Sequence, residues 1–213
     1  MKSRHSTRYF DKNKTISEDV LIKIMTLAQC APSWVDSQPC KVYIAFGETL
    51  EKIRTKHREN VERQIKSNPD WATTYRKDWA DFPRKHMARH NEDKKKFLNT
   101  DELWNLWRPG LQTRLFDAPA ICYLTLPKNS NQWSVYDLGA FGQTLMLAAK
   151  YLGIDSMPAY EIVRYPESVR KIMHIPEDEW VAMGIGLGYR ADHMIDDFRS
   201  HRIALNDFLK IEK

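Results

Sequence analysis

The chain has 213 residues, of which 42% are hydrophobic and 29% charged, a composition typical of one folded domain with its own core. It contains no apolar run of about 18 residues, so we expect no transmembrane helix. The net charge of +5 favours anionic partners such as nucleotides, phosphates or nucleic acids, without choosing among them.

The N-terminal part of the chain predicts two helices around a strand. Residues 17–31 carry apolar side chains at helical spacing, with Ser17 as the N-cap candidate and Pro32 after the last turn. The β-branched and aromatic run Lys41–Phe46 predicts a strand. A second helix is predicted to begin near Glu48.

A tryptophan-rich segment, residues 51–108, follows. It is rich in charge and poor in aliphatic residues, yet it holds four of the seven tryptophans: Trp71, Trp79, Trp104 and Trp107. A disordered linker rarely carries so many aromatic rings. We therefore predict broken helices that bury these rings on a partner surface, with breaks at Pro69 and Pro83.

The second half of the chain alternates strands and helices. Ala120–Leu126 and Trp180–Gly188 are predicted as core strands. Val135–Leu152 is predicted as a long helix that is apolar nearly all round, with Gly153 as its C-cap, and residues 166–174 as a short helix. Such an apolar helix needs cover on both sides, from the sheet and from a second subunit.

The tail, residues 189–213, is polar with late apolar residues, which fits docking on another chain or a helix on its own core. The order of elements predicts an α/β or α+β class and a single domain over residues 1–213.

An anion cradle is the first candidate site. Arg4, Ser6 and Arg8 alternate, so in an extended chain they point to one side. Two guanidinium groups and a hydroxyl suit a phosphate. The alternative is a solvated basic terminus, although Tyr9 and Phe10 indicate that the segment is packed down.

Two further motifs have simpler readings. The segment 31–39 (APSWVDSQP) offers hydrogen-bonding groups between two prolines but no nucleophile–base pair, and it fits a turn with capping side chains. The run GIGLG at 184–188 lacks the G-x-G-x-x-G spacing and a following helix, so we interpret its glycines as sites of close packing in a strand.

Several classes of protein are disfavoured. Three cysteines without C-x-x-C spacing argue against a disulfide framework and a zinc site. His86 and His90 share a helical spacing but lack an H-E-x-x-H motif, so no metal is expected. There is no G-x-S-x-G motif for a serine hydrolase. The first residues lack the apolar core of a signal peptide, so we expect a cytoplasmic protein.

Five motifs in order resemble the nitroreductase family of FMN enzymes over roughly the whole chain. They are RHSTRYFD at 4–11, APSWVDSQP at 31–39, FDAPA at 116–120, DLGAFGQTLMLAAKYLGI at 137–154, and VRKIMHIPEDE at 169–179 with the glycine-rich strand after it. Within that family, the tryptophan-rich segment and the tail most resemble nitrobenzoate-reductase-like members.

The resemblance implies an α+β, nitroreductase-like fold: a central, mostly antiparallel sheet flanked by helices, in an intertwined homodimer with FMN at the interface. It also implies which residues bind the cofactor. The set is Arg4, His5, Ser6 and Arg8 with Arg199 and Arg202 for the phosphate and ribityl chain, Pro32, Ser33, Trp34 and Asp36 from the other subunit, and Met157, Pro158, Ala159, Tyr160 and Glu161 beside the flavin ring.

The sequence departs from the family pattern at three of these positions. Asp36 stands where the family usually has Asn, and a carboxylate cannot donate as an amide can. Ser200 occupies a position that is often Lys, with Arg199 just before it. The usual acidic or glycine residues are replaced around Tyr160.

The resemblance implies a ping-pong oxidoreductase that uses NADH or NADPH to reduce nitroaromatic or quinone-type acceptors, with no catalytic side chain because the flavin carries the chemistry. Alternatives are another flavin reaction of the same fold (dehalogenation, flavin cleavage or enone reduction), a flavin-binding protein with storage or sensing duty, and a nucleic-acid-binding module that uses residues 51–108.

Overall fold

A computed structural model describes all residues of the chain, 1–213. Its four strands form one sheet in the order β1-β2-β4-β3, and all three neighbouring pairs are antiparallel. The strands are β1 (Lys41–Phe46), β2 (Ala120–Pro127), β3 (Asp155–Pro158) and β4 (Glu179–Gly188). The predicted central antiparallel sheet is confirmed.

Seven helices surround the sheet. They are α1 (Glu18–Ala28), α2 (Gly47–Glu62), α3 (Asp81–Phe97), α4 (Asp101–Asn105), the single turn α5 (Leu111–Thr113), α6 (Gln132–Tyr151) and α7 (Pro166–Met173). None of them is long and apolar enough to cross a membrane.

The core has one layer on each face of the sheet, because side chains alternate along the buried strand β2. Ile121 and Tyr123 point into a cluster with α2, α7 and the turn at 160–163. Cys122 and Leu124 point the other way, into a cluster with α1 and α6. The sheet therefore separates the cluster of α2 and α7 from the cluster of α1 and α6.

The glycines of β4 allow close packing, as their sequence context predicts. A Cβ atom at Gly184 would lie 2.1 Å from Cγ2 of Ile162, and one at Gly188 would lie 2.5 Å from Cδ of Pro119. Neither position has room for a side chain, and the run GIGLG lies inside a strand.

Several local predictions need correction. The first helix ends at Ala28 rather than Ala31, and the Ser17 side chain makes no capping hydrogen bond. Pro83 does not break a helix but lies in the first turn of α3, where a missing N–H costs nothing. The N-cap of α6 is Asn131, whose side chain accepts from two backbone N–H groups.

Other local predictions are confirmed. The tryptophan-rich segment consists of broken helices, as predicted, and Gly153 follows the last turn of α6 with a φ of +79°. The tail contains only two short 3-10 turns, Met194–Asp197 and Leu205–Asp207, so the predicted alternative of a helix on the core is wrong.

Candidate functional site

The N-terminal segment lies extended along the edge of the sheet. Ser6 forms a parallel bridge with Ser156 of β3, and the backbone N–H of Thr7 donates to the Ser156 carbonyl at 3.0 Å. Asp196 fixes the same segment from the tail: its carboxylate accepts from the backbone N–H of Arg8 at 2.5 Å and of Tyr9 at 3.1 Å. Both ends of the chain therefore meet at one place.

A cavity of about 530 Å³ opens between these two chain ends. Its lining includes all six residues predicted for the phosphate and ribityl chain, which are Arg4, His5, Ser6, Arg8, Arg199 and Arg202. We call this set the cradle. Gln143 and Leu147 of α6 form its floor. The fold therefore brings arginines of the N-terminal segment and of the tail into one cavity.

Two polar atoms of the cradle lack a partner. Nη1 of Arg4 and Nε2 of His5 are buried without a hydrogen bond. Burial lowers the pKa of His5; the Ser3 carbonyl opposes that shift, and the charge of Arg199 adds to it. Buried polar groups are normally paired, so these two atoms point to a polar ligand. Nη1 of Arg4 can donate to a phosphate. Nε2 of His5 can accept from a ribityl hydroxyl, because Nδ1 of the same ring faces the Ser3 carbonyl and so carries the proton in the neutral form.

Arg8 stands at the boundary between the cradle and a second cavity. Its guanidinium lies 4.3 Å from the centroid of the Trp107 ring and 5.8 Å from that of Phe198. Burial lowers the pKa of Arg8 to about 10, with the charge of Asp196 opposing the shift, so the group stays cationic at neutral pH. Stacking on two rings holds this cation in one orientation.

The second cavity, of about 440 Å³, is lined by the predicted flavin-side residues Met157, Pro158, Ala159, Tyr160 and Glu161. We call it the loop cavity. Trp107, Arg108 and Arg164 line it as well, and Arg8 belongs to both cavities. The two predicted halves of the cofactor site are thus adjacent and share one arginine.

Glu161 is held in a buried ionic cluster. Its Oε1 lies 3.2 Å from Nε2 of His57, an approach whose angle does not make a hydrogen bond, and 3.0 Å from Nη1 of Arg164, which donates to it. Burial raises the pKa of Glu161, but the contacts with His57 and Arg164 outweigh it and leave the pKa below its ordinary value. The contacts with His57 and Arg164 therefore fix the loop that carries Glu161.

The third predicted group, at 32–36, does not join this site within one chain. Pro32 and Ser33 line a separate cavity of about 410 Å³, together with Asp137 and Phe141 of α6. Successive residues of a helix are turned by about 100°, so these two α6 residues lie on a different face from the cradle floor.

The 33–38 loop has an unusual backbone and an exposed ring. Trp34 stacks on Trp133 at 4.7 Å. Val35, Asp36 and Gln38 all have positive φ values, between 44° and 54°, in a region that residues other than glycine seldom occupy. Oδ1 of Asp36 accepts from Nε2 of Gln38 at 2.9 Å, so this carboxylate is engaged within its own loop.

Sequence reasoning missed the residues that hold the site together. Asp196, His57 and Phe198 carry no motif, since each acts on a partner far away in the chain. Trp107 had a signal, its place among clustered tryptophans, but nothing in the sequence pairs it with Arg8. Trp104 packs on the core, and Trp79 is half-exposed and donates to the Thr74 carbonyl.

Comparison with known proteins gives a consistent result. A model of the nitroreductase family matches residues 1–189. A 4-nitrobenzoate reductase of Pseudomonas putida is 26% identical over 192 residues, covering 88% of this chain and 82% of the relative. The nitroreductase NfnB of Mycolicibacterium smegmatis is 28% identical over 205 residues, covering 90% of this chain and 82% of the relative.

Solved structures share the fold. The FMN-dependent nitroreductase NfnB from Mycobacterium smegmatis, in complex with NADPH, superposes with a TM-score of 0.90 at 23% identity, covering 100% of this chain and 96% of that one. The FMN- and NADPH-dependent NfnB from a Sphigopyxis strain gives a TM-score of 0.88 at 20% identity, covering 99% and 96%.

Proposed function

The chain belongs to the nitroreductase family, and from this premise we propose that it is an FMN-dependent NAD(P)H oxidoreductase that reduces nitroaromatic or quinone-type acceptors. The observation that carries the proposal is the cradle: cationic groups from both chain ends surround one cavity, and two of its buried polar atoms have no partner. The relatives described above are named as a 4-nitrobenzoate reductase and a nitroreductase, which supports the choice of acceptor.

The proposed roles follow from position. Arg4, Arg8, Arg199 and Arg202 would neutralise the FMN phosphate, and Ser6 would add a hydroxyl contact. The residues of the loop cavity would lie beside the flavin ring, with Trp107 and Tyr160 as walls for a flat donor or acceptor. Flavin, when bound, supplies two-electron chemistry, which fits a chain with no nucleophile–base pair.

Arg8 has a further part in this scheme. It is a half-buried cation that lies against Trp107 where the cradle meets the loop cavity. Positive charge at such a place favours negative charge that develops in the cavity, because the surrounding rings keep water away.

The use of NAD(P)H as electron donor would place the reaction in the cytoplasm.

We further propose an intertwined homodimer in which the 32–36 loop completes the partner's cofactor site. Large apolar side chains stay exposed on this loop and on α6: Trp34 is 55% exposed, Val35 83%, Trp133 55% and Tyr136 73%. Exposed patches of this kind mark interaction surfaces. Sedimentation equilibrium is expected to give twice the chain mass; a monomer with bound flavin would contradict this arrangement.

The absorbance spectrum of the purified protein tests the cofactor. We expect bands of bound flavin, bleaching by NADH or NADPH without oxygen, and recovery of colour with 4-nitrobenzoate but not with a halogenated phenol. A colourless protein that ignores added FMN would refute the proposal. Bleaching without recovery on any nitroaromatic compound would favour a different flavin reaction.

The Arg8→Ala variant tests the cradle itself. We expect FMN affinity to fall by roughly tenfold or more, since a charge-assisted contact to phosphate is worth about 1.5–3 kcal/mol. Arg58→Ala is the matched control, because Arg58 is exposed on α2. Equal FMN retention in the two variants would count against a phosphate at Arg8.

A further inference from the structure

The inner face of α3 packs on the aromatic cluster that supports Arg8. His90 and Phe97 both contact Phe198, with ring centroids 5.5 Å and 5.4 Å apart. Lys94, one turn from each, places its Nζ 5.4 Å from the centroid of Trp104. Lys94 therefore lies on the face of α3 that packs on Phe198, whose ring centroid is 5.7 Å from that of Trp107 in the lining of the loop cavity.

Cations gather on this side without carboxylates to balance them. Arg164, which also lines the loop cavity, is paired with Glu161, whereas Arg76, Lys94 and Arg108 make no ion pair. Burial lowers the pKa of Lys94, and the charges of Arg76, Arg108 and Arg8 lower it further. Burial lowers the pKa of neighbouring His90, and the charges of Lys94, Arg8 and Arg76 lower it further, with Asp93 opposing them.

Such a group of like charges costs free energy, because neighbouring ammonium and guanidinium groups repel one another where burial partly excludes water. Arg108 lines the loop cavity and lies next to Trp107, which gives the cavity an aromatic wall. An aromatic wall beside unbalanced cations suits a flat molecule that carries one anionic group.

We propose that Arg108 and Lys94, with Arg76 near them, form a second anion-binding subsite at the α3 side of the loop cavity, which takes the phosphate or carboxylate of the molecule that enters the cavity. The subsite differs from the cradle, whose Arg4, Arg199 and Arg202 do not line the loop cavity. The proposal rests on the proposed function in that an electron donor or acceptor is the entering molecule.

Direct binding tests the subsite without turnover. On the flavin-loaded protein, calorimetric titration with 2′-AMP and with adenosine compares a phosphomonoester with its neutral counterpart, and benzoate with benzamide compares a carboxylate with an amide. We expect Arg108→Gln and Lys94→Met to lower the affinity for the anions by roughly five- to tenfold, as for loss of one charged contact. The affinity for the neutral ligands should stay unchanged.

Matched controls lie on the same helix. Lys95→Met removes the same charge from an exposed neighbour of Lys94, and Arg89→Gln does so for an exposed arginine. Both are expected to bind the anions as the unmodified protein does. Equal weakening in controls and test variants would reduce the effect to net charge and overturn the proposal, as would unchanged anion binding in both test variants.

Steady-state kinetics identify the source of the anion. A rise in the KM ratio of NADPH to NADH would assign the subsite to the donor's 2′-phosphate, and a rise in the KM ratio of 4-nitrobenzoate to nitrobenzene would assign it to the acceptor's carboxylate. Lys94→Met keeps the test valid if Arg108→Gln fails to fold. A protein that never binds flavin refutes the proposed function, while titration of the same protein with benzoate still reports on the subsite.

Discussion

Asp196→Asn is the sharpest test of how the cradle is held. Asp196 is 1% exposed, and its two oxygens accept the backbone N–H groups of Arg8 and Tyr9. An amide keeps one acceptor oxygen and turns an NH₂ group toward the other backbone donor, so one hydrogen bond is lost and two donors face each other. The cradle segment thereby loses one of its two hydrogen bonds to Asp196, although Asp196 itself lies outside the cradle lining.

The magnitude follows from two opposing effects. Loss of a hydrogen bond to a charged group costs about 1.5–3 kcal/mol. Burial raises the pKa of Asp196, with the Arg8 and Tyr9 N–H groups opposing, which means that the buried charge is itself unfavourable and that a neutral amide recovers part of the loss. The net cost is about 1–2 kcal/mol, which lowers Tm by roughly 3–6 °C in a domain of this size.

The assay is FMN affinity, followed by quenching of flavin fluorescence, together with thermal unfolding of the apoprotein. A cost of about 1–2 kcal/mol in ordering the cradle weakens FMN binding by roughly 5- to 30-fold. Asp197→Asn is the matched control: it makes the same change one residue away, at a side chain that is 59% exposed and paired with Arg190. Equal FMN binding by the two variants would refute a role for Asp196 in holding the cradle. An Asp196→Asn variant with unchanged FMN affinity and unchanged Tm would refute it as well.

Two further predictions concern the frame around the site. Gly184→Ala is expected to cost about 1–3 kcal/mol by overpacking on Ile162 and to alter the spectrum of bound flavin, since Ile162 shares a turn with the loop-cavity residues; an unchanged Tm would show that Ile162 moves aside freely. Burial raises the pKa of Glu179, but its hydrogen bonds, first that from Lys41, outweigh this effect and leave the pKa below 4.5. The stability that this carboxylate contributes is therefore present above pH 4.5 and is lost as the pH falls through the lower, folded-state pKa. Thermal unfolding of Glu179→Gln should therefore differ from the unmodified protein by about 1–2 kcal/mol at pH 7 and by much less near pH 3; a pH-independent difference would contradict this.

Local chemistry made much of this fold predictable. The strand Lys41–Phe46 was predicted to the residue because a short β-branched run stands between Pro39 and Gly47. The alternation of Arg4, Ser6 and Arg8 predicted a shared side, and the structure places all three in one cavity. In both cases, the prediction depends only on residues that are close together in the chain.

What could not be predicted depends on long-range contacts. Asp196 is 188 positions from Arg8, and no spacing rule connects a tail carboxylate with two N-terminal amides. The αR and αL geometry around Asp36 arises from the whole 33–38 loop rather than from its residue types. The tail resisted prediction for a further reason: its apolar residues Phe208 and Ile211 stay exposed, so their hydrophobicity does not indicate core packing.

The location of the cradle at both ends of the chain bears on the order in which the molecule matures. During synthesis, Arg4 and Arg8 leave the ribosome well before Asp196, Arg199 and Arg202. A growing chain thus carries its N-terminal arginines long before the tail residues that complete the anion site. We expect cofactor loading to follow synthesis of the tail, and removal of residues 199–213, which leaves the buried Ile195 and Phe198 in place, to reduce flavin retention.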